Sequence, residues 1–188
     1  FKLSTEFSGA TDPEGPSPWL TATFDDHDTP GSVDLTLENT NLLGSEFVFG
    51  WYFNLEPVLD PTALSFSPPS KTGAFSDPTI HLEEDAFKAD GDGWFDILFE
   101  FASGGGTSAR FGAGEAATYS ISGIPNLTAD SFYHYSVLSR SSCTGLLTAA
   151  HIGGIGTNGE CSGWITVPEP ASLLMALAGL TLLPRRRG

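Results

Sequence analysis

Positive charge is scarce in this 188-residue chain: eight Lys and Arg stand against twenty-three Asp and Glu, for a formal net charge of −15. A surface of that sign repels phosphate backbones and argues against nucleic acid as a partner. Sulfur is scarce too. The single Met is Met175 and the chain opens on Phe1, so we expect a removed N-terminal signal peptide. Catalytic signatures are missing. There is no Gly-x-Ser-x-Gly elbow, and His27, His81, His134 and His151 show no His-x-x-x-His spacing. Gly153-Gly154-Ile155-Gly156 lacks the Lys and the following helix of a phosphate loop. The many carboxylates would allow a glycosidase pair, but nothing selects one. The expectation is a protein that is not an enzyme, with a hydrolase the least favoured reading.

Helical periodicity is also absent before the last twenty-two residues, and what stands in its place is alternation. Leu20, Ala22 and Phe24 alternate with Thr, and Val33, Leu35 and Leu37 alternate with Asp34, Thr36 and Glu38. The turn Asp25-Asp26-His27-Asp28-Thr29-Pro30-Gly31 between them predicts a hairpin. The run 47–55 is the most hydrophobic of the body and predicts a central strand, with Phe47, Phe49, Trp51 and Phe53 on one side. Such a stripe is either core or a binding platform, and core is the commoner outcome. Further strands are predicted at 2–7, 64–67, 80–82, 87–89, 94–101, 117–121, 132–139, 146–152 and 163–167, with one helical turn at 127–131. In 132–139, Tyr133, Tyr135 and Val137 alternate with His134 and Ser136. About ten short strands between Gly/Pro turns define an all-β class, an antiparallel β-sandwich or jelly roll over 1–166.

Two features of that domain could carry chemistry. In Asp90-Gly91-Asp92-Gly93-Trp94-Phe95-Asp96, alternating carboxylates on a glycine turn are closed by a third, as a calcium ion wanting six to eight oxygens requires. Lys88 stands where comparable calcium loops place their first Asp, and Asp-Gly is also a strong hairpin turn without any ion. Calcium at Asp90, Asp92 and Asp96 and a plain turn therefore both stay open. The clusters Asp25, Asp26, Asp28 and Glu83, Glu84, Asp85 read as solvated loops. Cys143 and Cys161 are an even pair, predicting one disulfide whose loop would contribute about 3 kcal/mol. A metal-bound or reduced state is the alternative, and no zinc-like spacing supports the former.

The last twenty-two residues, 167–188, are of another kind. Val167-Pro168-Glu169-Pro170 is followed by thirteen uncharged residues, then Pro184, Arg185, Arg186, Arg187 and Gly188. Thirteen helical residues span about 20 Å, short of a hydrocarbon core of about 30 Å, so the segment makes a marginal membrane helix. The Arg cluster favours a cytoplasmic end, which leaves the body outside. With three of the basic residues and one acidic residue in this tail, the body carries five against twenty-two.

The order of Pro-Glu-Pro, hydrophobic segment and Arg cluster resembles the PEP-CTERM sorting signal of exported bacterial proteins. That resemblance implies Sec export in a Gram-negative-type cell, transient inner-membrane anchoring, recognition by an exosortase, and delivery to the cell surface or extracellular matrix. The body resembles uncharacterised domains of such proteins at 51–57, 87–101, 110–114 and 150–156, a likeness that implies no activity. Three roles follow as expectations. The first is a structural or adhesive surface protein, self-assembling or not. The second is a calcium-assisted module binding exopolysaccharide, and the third is a hydrolase.

Overall fold

The structure is a computed structural model that describes residues 1–140 and 143–168. It is an all-β sandwich of two antiparallel sheets. Its strands are β1 (Lys2–Leu3), β2 (Thr5–Glu6), β3 (Leu20–Asp25), β4 (Val33–Glu38), β5 (Phe47–Phe53), β6 (Ser65–Phe66) and β7 (Ser70–Thr72). They continue as β8 (Thr79–Ala89), β9 (Gly93–Glu100), β10 (Phe111–Gly112), β11 (Ala116–Ser122), β12 (Val137–Leu138), β13 (Thr148–Ile155) and β14 (Cys161–Thr166). Short 3₁₀ turns at Pro61–Ala63, Thr107–Ala109 and Ala129–Phe132 are the only helical elements among the described residues. The hydrophobic helix expected in the tail falls outside them, and among the described residues no helix is long and apolar enough to cross a membrane.

The six-stranded sheet runs β1-β3-β4-β11, with β6 and β7 both on β11; the eight-stranded sheet runs β12-β9-β5-β13-β14-β2, with β8 on β9 and β10 on β5. Alternation does in β3 and β4 what it predicts. Leu20, Ala22, Val33, Leu35 and Leu37 turn inward with Tyr119 and Ile121 of β11, against Val48, Trp51, Phe53, Ile97, Phe99 and Ile152 of the facing sheet. Burying each large side chain removes it from water at a gain of about 1.5–3 kcal/mol, which is why the inward rows are so uniformly apolar. The indole N–H of Trp51 donates to Thr148 Oγ1 at 3.1 Å, and that hydroxyl donates to the Tyr52 carbonyl at 2.7 Å, whereas the buried Tyr119 hydroxyl and Asn39 Oδ1 have no hydrogen-bond partner among the described residues.

Three irregularities redirect side chains. Between β5 and β13 the register slips from Gly50↔His151 to Val48↔Ile152, which makes Phe49 an extra residue. The expected single aromatic stripe is thereby split. Val48, Trp51 and Phe53 enter the core, while Phe49 lies on the outer face against Phe47 and His151, with ring centroids 4.5 and 4.8 Å away. In β13, Gly154 at φ +74° is the extra residue opposite β14, so Gly153 and Gly154 belong to a bulged strand and not to the loop expected there. In β8 the segments 80–82 and 87–89, expected as two strands, form one, interrupted where 83–86 bulge opposite β9.

Candidate functional site

The C-terminal ends of β5 and β3 lie at the same end of the sandwich, and the connection 127–140 is strapped across it. Its pins are mostly backbone. Gly31 N–H donates to Leu127 O at 2.8 Å, Glu56 N–H to Ser131 O at 2.8 Å, Ser136 N–H to Leu146 O at 2.8 Å and Ser139 N–H to Asp92 O at 3.4 Å. Side chains reinforce them: Asp26 Oδ2 accepts from Ala129 N–H at 2.9 Å, Asn54 Nδ2 donates to His134 O at 2.9 Å, and Ser139 Oγ donates to Gly91 O. The hydrogen bonds from Ala129 and Asp28 hold the Asp26 carboxyl below its ordinary range.

The strap inverts the pattern its sequence announces. Tyr133, Tyr135, Val137 and Leu138 are exposed, at 57, 53, 51 and 46%, while Ser136 is buried. Only Val137–Leu138 forms a strand, against Trp94 and Gly93, in place of the full strand expected over 132–139. Four of the six large exposed hydrophobic residues among the described residues thus sit on one strap, and Val58 stands on the adjoining loop after β5. A contiguous apolar ridge of this kind marks an interaction surface, whereas single exposed apolar residues mark nothing.

A cleft lies on each side of the ridge. The larger, about 250 Å³, is lined by Phe1, Ala22, Thr23, Phe24, Asp130 and Tyr133, and the Phe1 ammonium donates to Ala22 O at 2.6 Å. The smaller, about 40 Å³, brings Tyr135 and Val137 together with Glu56, Glu84 and Asp85. Burial, then the neighbouring Asp96 and Glu84 charges, push the Asp85 carboxyl up. Neither cleft is lined by Lys or Arg.

The residues singled out for calcium are not brought together as a trio. Asp90 at φ 43° and Gly91 at φ 85° form a tight turn closed by Asp92 N–H to Ala89 O at 2.9 Å, with both central residues on the positive side that a type I′ hairpin requires. Asp96 is buried and its oxygens are occupied: Oδ2 accepts from Leu55 N–H and Oδ1 from Asp85 N–H, each at 2.8 Å. Asp96 therefore braces the β8 bulge to the end of β5. Among the described residues no three His, Cys, Asp or Glu side chains are grouped to hold a metal ion. Burial and the Asp92 and Glu6 charges raise the Asp90 carboxyl, the direction expected of acids repelling one another.

The expected disulfide is corrected by register. Cys143 and Cys161 are both free thiols. Cys143 Sγ lies 3.3 Å from Asp92 Oδ1, beside the β8–β9 turn, and this is the end of the sheet where β13 starts at Thr148. Cys161 pairs with Ile155 where β13 ends. Seven residues of strand correspond to about 23 Å, and a disulfide needs Cα atoms within about 7 Å. Of the sorting motif, Val167 and Pro168 follow β14, Val167 packing against the core. Glu169, Pro170, Arg185, Arg186 and Arg187 lie outside the described residues. The acidic turn Asp25, Asp26, Asp28 does form, with His27 and Asp28 at positive φ.

No protein-family model, no curated protein and no solved structure matches the chain.

Proposed function

We propose that this chain is an exported cell-surface or extracellular-matrix protein with an adhesive, non-catalytic role, its contact being the strap 127–140 and its ligand exopolysaccharide. Delivery rests on the tail. The Pro168-Glu169-Pro170 element, the uncharged segment and Arg185–Arg187 would be read by an exosortase after export, with the inner membrane holding the chain only in transit. The observation that carries the adhesive reading is the inverted burial of the strap: Tyr133, Tyr135 and Val137 face water where an ordinary strand would bury them. Tyr offers a sugar both an apolar ring face and a hydroxyl, at low conformational cost. Because Asp96 is committed to backbone N–H groups, the reading does not call on calcium.

The test is retention of the full chain on the producing cell's own exopolysaccharide, with and without chelator, beside a variant carrying Tyr133→Ser, Tyr135→Ser and Val137→Ser. Binding should fall at least about tenfold in the variant, equivalent to about 1.4 kcal/mol, and should not respond to chelator. Equal retention of both proteins would refute the assignment to the strap. Concentration-dependent light scattering that disappears in the same variant would make the surface a self-association site instead. A surface-fraction protein still ending in the Arg cluster would refute the sorting step.

A further inference from the structure

We infer that a third cleft, at the opposite end of the sandwich from the strap, is a separate binding site whose ligand is a free α-amino acid held by both of its charges. The strap is pinned beyond the end of β5, at Asn54 and Glu56, whereas this cleft opens where β5 begins, about 20 Å of strand away. Its volume is about 170 Å³, and its walls include Glu46, Phe47, Thr107, Arg110, Gly112 and Glu115. Arg110 is fixed in place there. Its guanidinium carbon lies 4.2 Å from the Phe47 ring centroid, and its Nε donates to Ser103 O at 2.9 Å, which leaves the two terminal nitrogens as the fork of donors that suits a carboxylate. Among the described residues no carboxylate stands within ion-pair distance of that guanidinium.

Two carboxylates share the cavity with the cation. Glu46 is buried, its Oε1 accepting from Glu14 N–H at 2.7 Å and its Oε2 from Leu43 N–H at 2.8 Å. Glu115 is half-buried, its Oε1 accepting from Ala74 N–H at 3.0 Å and its Oε2 from Gly112 N–H at 2.8 Å. These bonds fix both acids without exhausting them, because an ionised carboxylate offers about four lone-pair sites. Charges of both signs are thus held around one cavity without pairing to each other, and that selects among ligands. A simple carboxylate matches Arg110 and is repelled by Glu46 and Glu115, and a simple amine matches the acids and is repelled by Arg110. A neutral sugar leaves the charges without counterparts, and Phe47, 4% exposed with Arg110 over its ring, offers no face for stacking. An α-amino acid carries both groups on one carbon. The Arg110 fork takes its carboxylate, and Glu115, the more accessible acid, takes its ammonium, each through charge-assisted hydrogen bonds of roughly twice the strength of neutral ones. Its zero net charge also spares it the repulsion that a chain of net charge −15 exerts on anions.

The experiment follows the Arg110 Nε–H and Gly112 N–H signals by NMR while the full chain is titrated with L-alanine, ethylamine, propanoate and glucose. L-Alanine should move both signals to saturation. Ethylamine, which lacks the carboxylate, propanoate, which lacks the ammonium, and glucose should each bind at least about tenfold more weakly. Arg110→Lys keeps the charge and replaces the fork by one ammonium, and it should weaken L-alanine at least about tenfold. Glu115→Gln should cost about as much, while Lys2→Gln, which removes a cation from exposed β1, should change nothing. Melting temperatures show whether each variant is folded, and if one is not, the four ligands on the unsubstituted chain decide alone. No saturation by L-alanine overturns the inference. Propanoate or ethylamine binding as tightly as L-alanine overturns it too, because one charge would then suffice. Saturation by glucose and not by L-alanine would make the cleft a sugar site, and a Lys2→Gln loss equal to that of Arg110→Lys would place the binding elsewhere. Retention on exopolysaccharide should be the same for Arg110→Lys and the unsubstituted chain, so the strap stands or falls separately.

Discussion

Two segments of this chain alternate apolar and polar residues in the same way and bury opposite halves of the pattern. In β4, Val33, Leu35 and Leu37 are fully buried; in the strap, Tyr133, Tyr135 and Val137 are more than half exposed and Ser136 is buried. β4 lies between β3 and β11 and is covered by the second sheet, so its apolar face has a partner along its whole length. The strap has a sheet partner only at Val137–Leu138. Its inward position is decided by hydrogen bonding: Ser136 Oγ accepts from Leu146 N–H at 3.0 Å, and a small side chain fits beside Gly93, where a Cβ would collide with it. Period two announces two faces, and the neighbours choose which one is inside. The sharpest break of the comparison is one substitution at both places. Leu35→Ala, in the core, should cost about 2–5 kcal/mol in urea unfolding. Leu138→Ala, at 46% exposure, should stay within about 0.5 kcal/mol. Similar losses at the two sites would mean that the strap's outward face is covered.

A smaller effect isolates what holds the strap's end in shape. Asp96 receives two backbone N–H groups from different elements, Leu55 after β5 and Asp85 in the β8 bulge. Removing its carboxylate strands both donors, a loss of about 1–3 kcal/mol for each buried group left unpaired. Asp96→Ala should therefore destabilise more than Asp90→Ala or Asp92→Ala, whose side chains stand on the turn, and calcium should not restore it. A calcium-dependent rise in the melting temperature of the unsubstituted chain, abolished by Asp96→Ala, would reinstate the ion-binding reading of this segment.

Much of the sandwich was legible in the residues. The β3–β4 hairpin, the central β5, the inward Ile97 and Phe99 of β9 and the Asp90-Gly91 turn all follow from local alternation and turn chemistry, whereas Phe95, of the same parity, packs in a separate cluster with Ala89, Leu146 and Ala149. What was not legible depends on register between distant strands. The slip at Phe49 divides an aromatic run that reads as one stripe, and only its pairing with β13 places it. Cys143 and Cys161 look like partners because they are close in sequence, yet the hairpin between them carries them to opposite ends of the sheet. The acids 83–85 read as a turn and are a bulge in a continuous strand, because Asp96 on β9 captures Asp85 N–H. The strap was the largest misreading, and its signal was available in part. Between Phe132 and Leu138 the row opposite Tyr133, Tyr135 and Val137 holds only His134 and Ser136.

The smallest expected effect carries the same contrast of inside and outside to two histidines, with opposite signs. His27 is exposed on the β3–β4 turn, its Nε2 3.1 Å from Asp34 Oδ2 and its Nδ1 3.4 Å from Asp25 Oδ1. The hydrogen bond to Asp34 and then the Asp25 charge raise its pKa. His151 is stacked on Trp164, centroids 4.4 Å apart at 4°, and burial lowers its pKa. A raised folded-state pKa means that the native chain holds the proton more tightly. The contribution of His27 is thus complete below the unfolded value near 6.5 and is lost as pH rises through its folded pKa. For His151 the unfolded chain holds the proton more tightly, so stability is present above about 6.5 and is lost as pH falls towards its lowered folded pKa. The two slopes oppose each other, and the chain's stability should change little around neutrality. His27→Asn should lessen the loss on the alkaline side, and His151→Phe the loss on the acid side. Imidazole shifts followed by NMR give the direct reading, His27 titrating above the ordinary histidine value and His151 below it. A His151 that titrates high would mean that attraction of the imidazolium to the Trp164 ring outweighs its loss of water, and the expected slope on the acid side would then reverse.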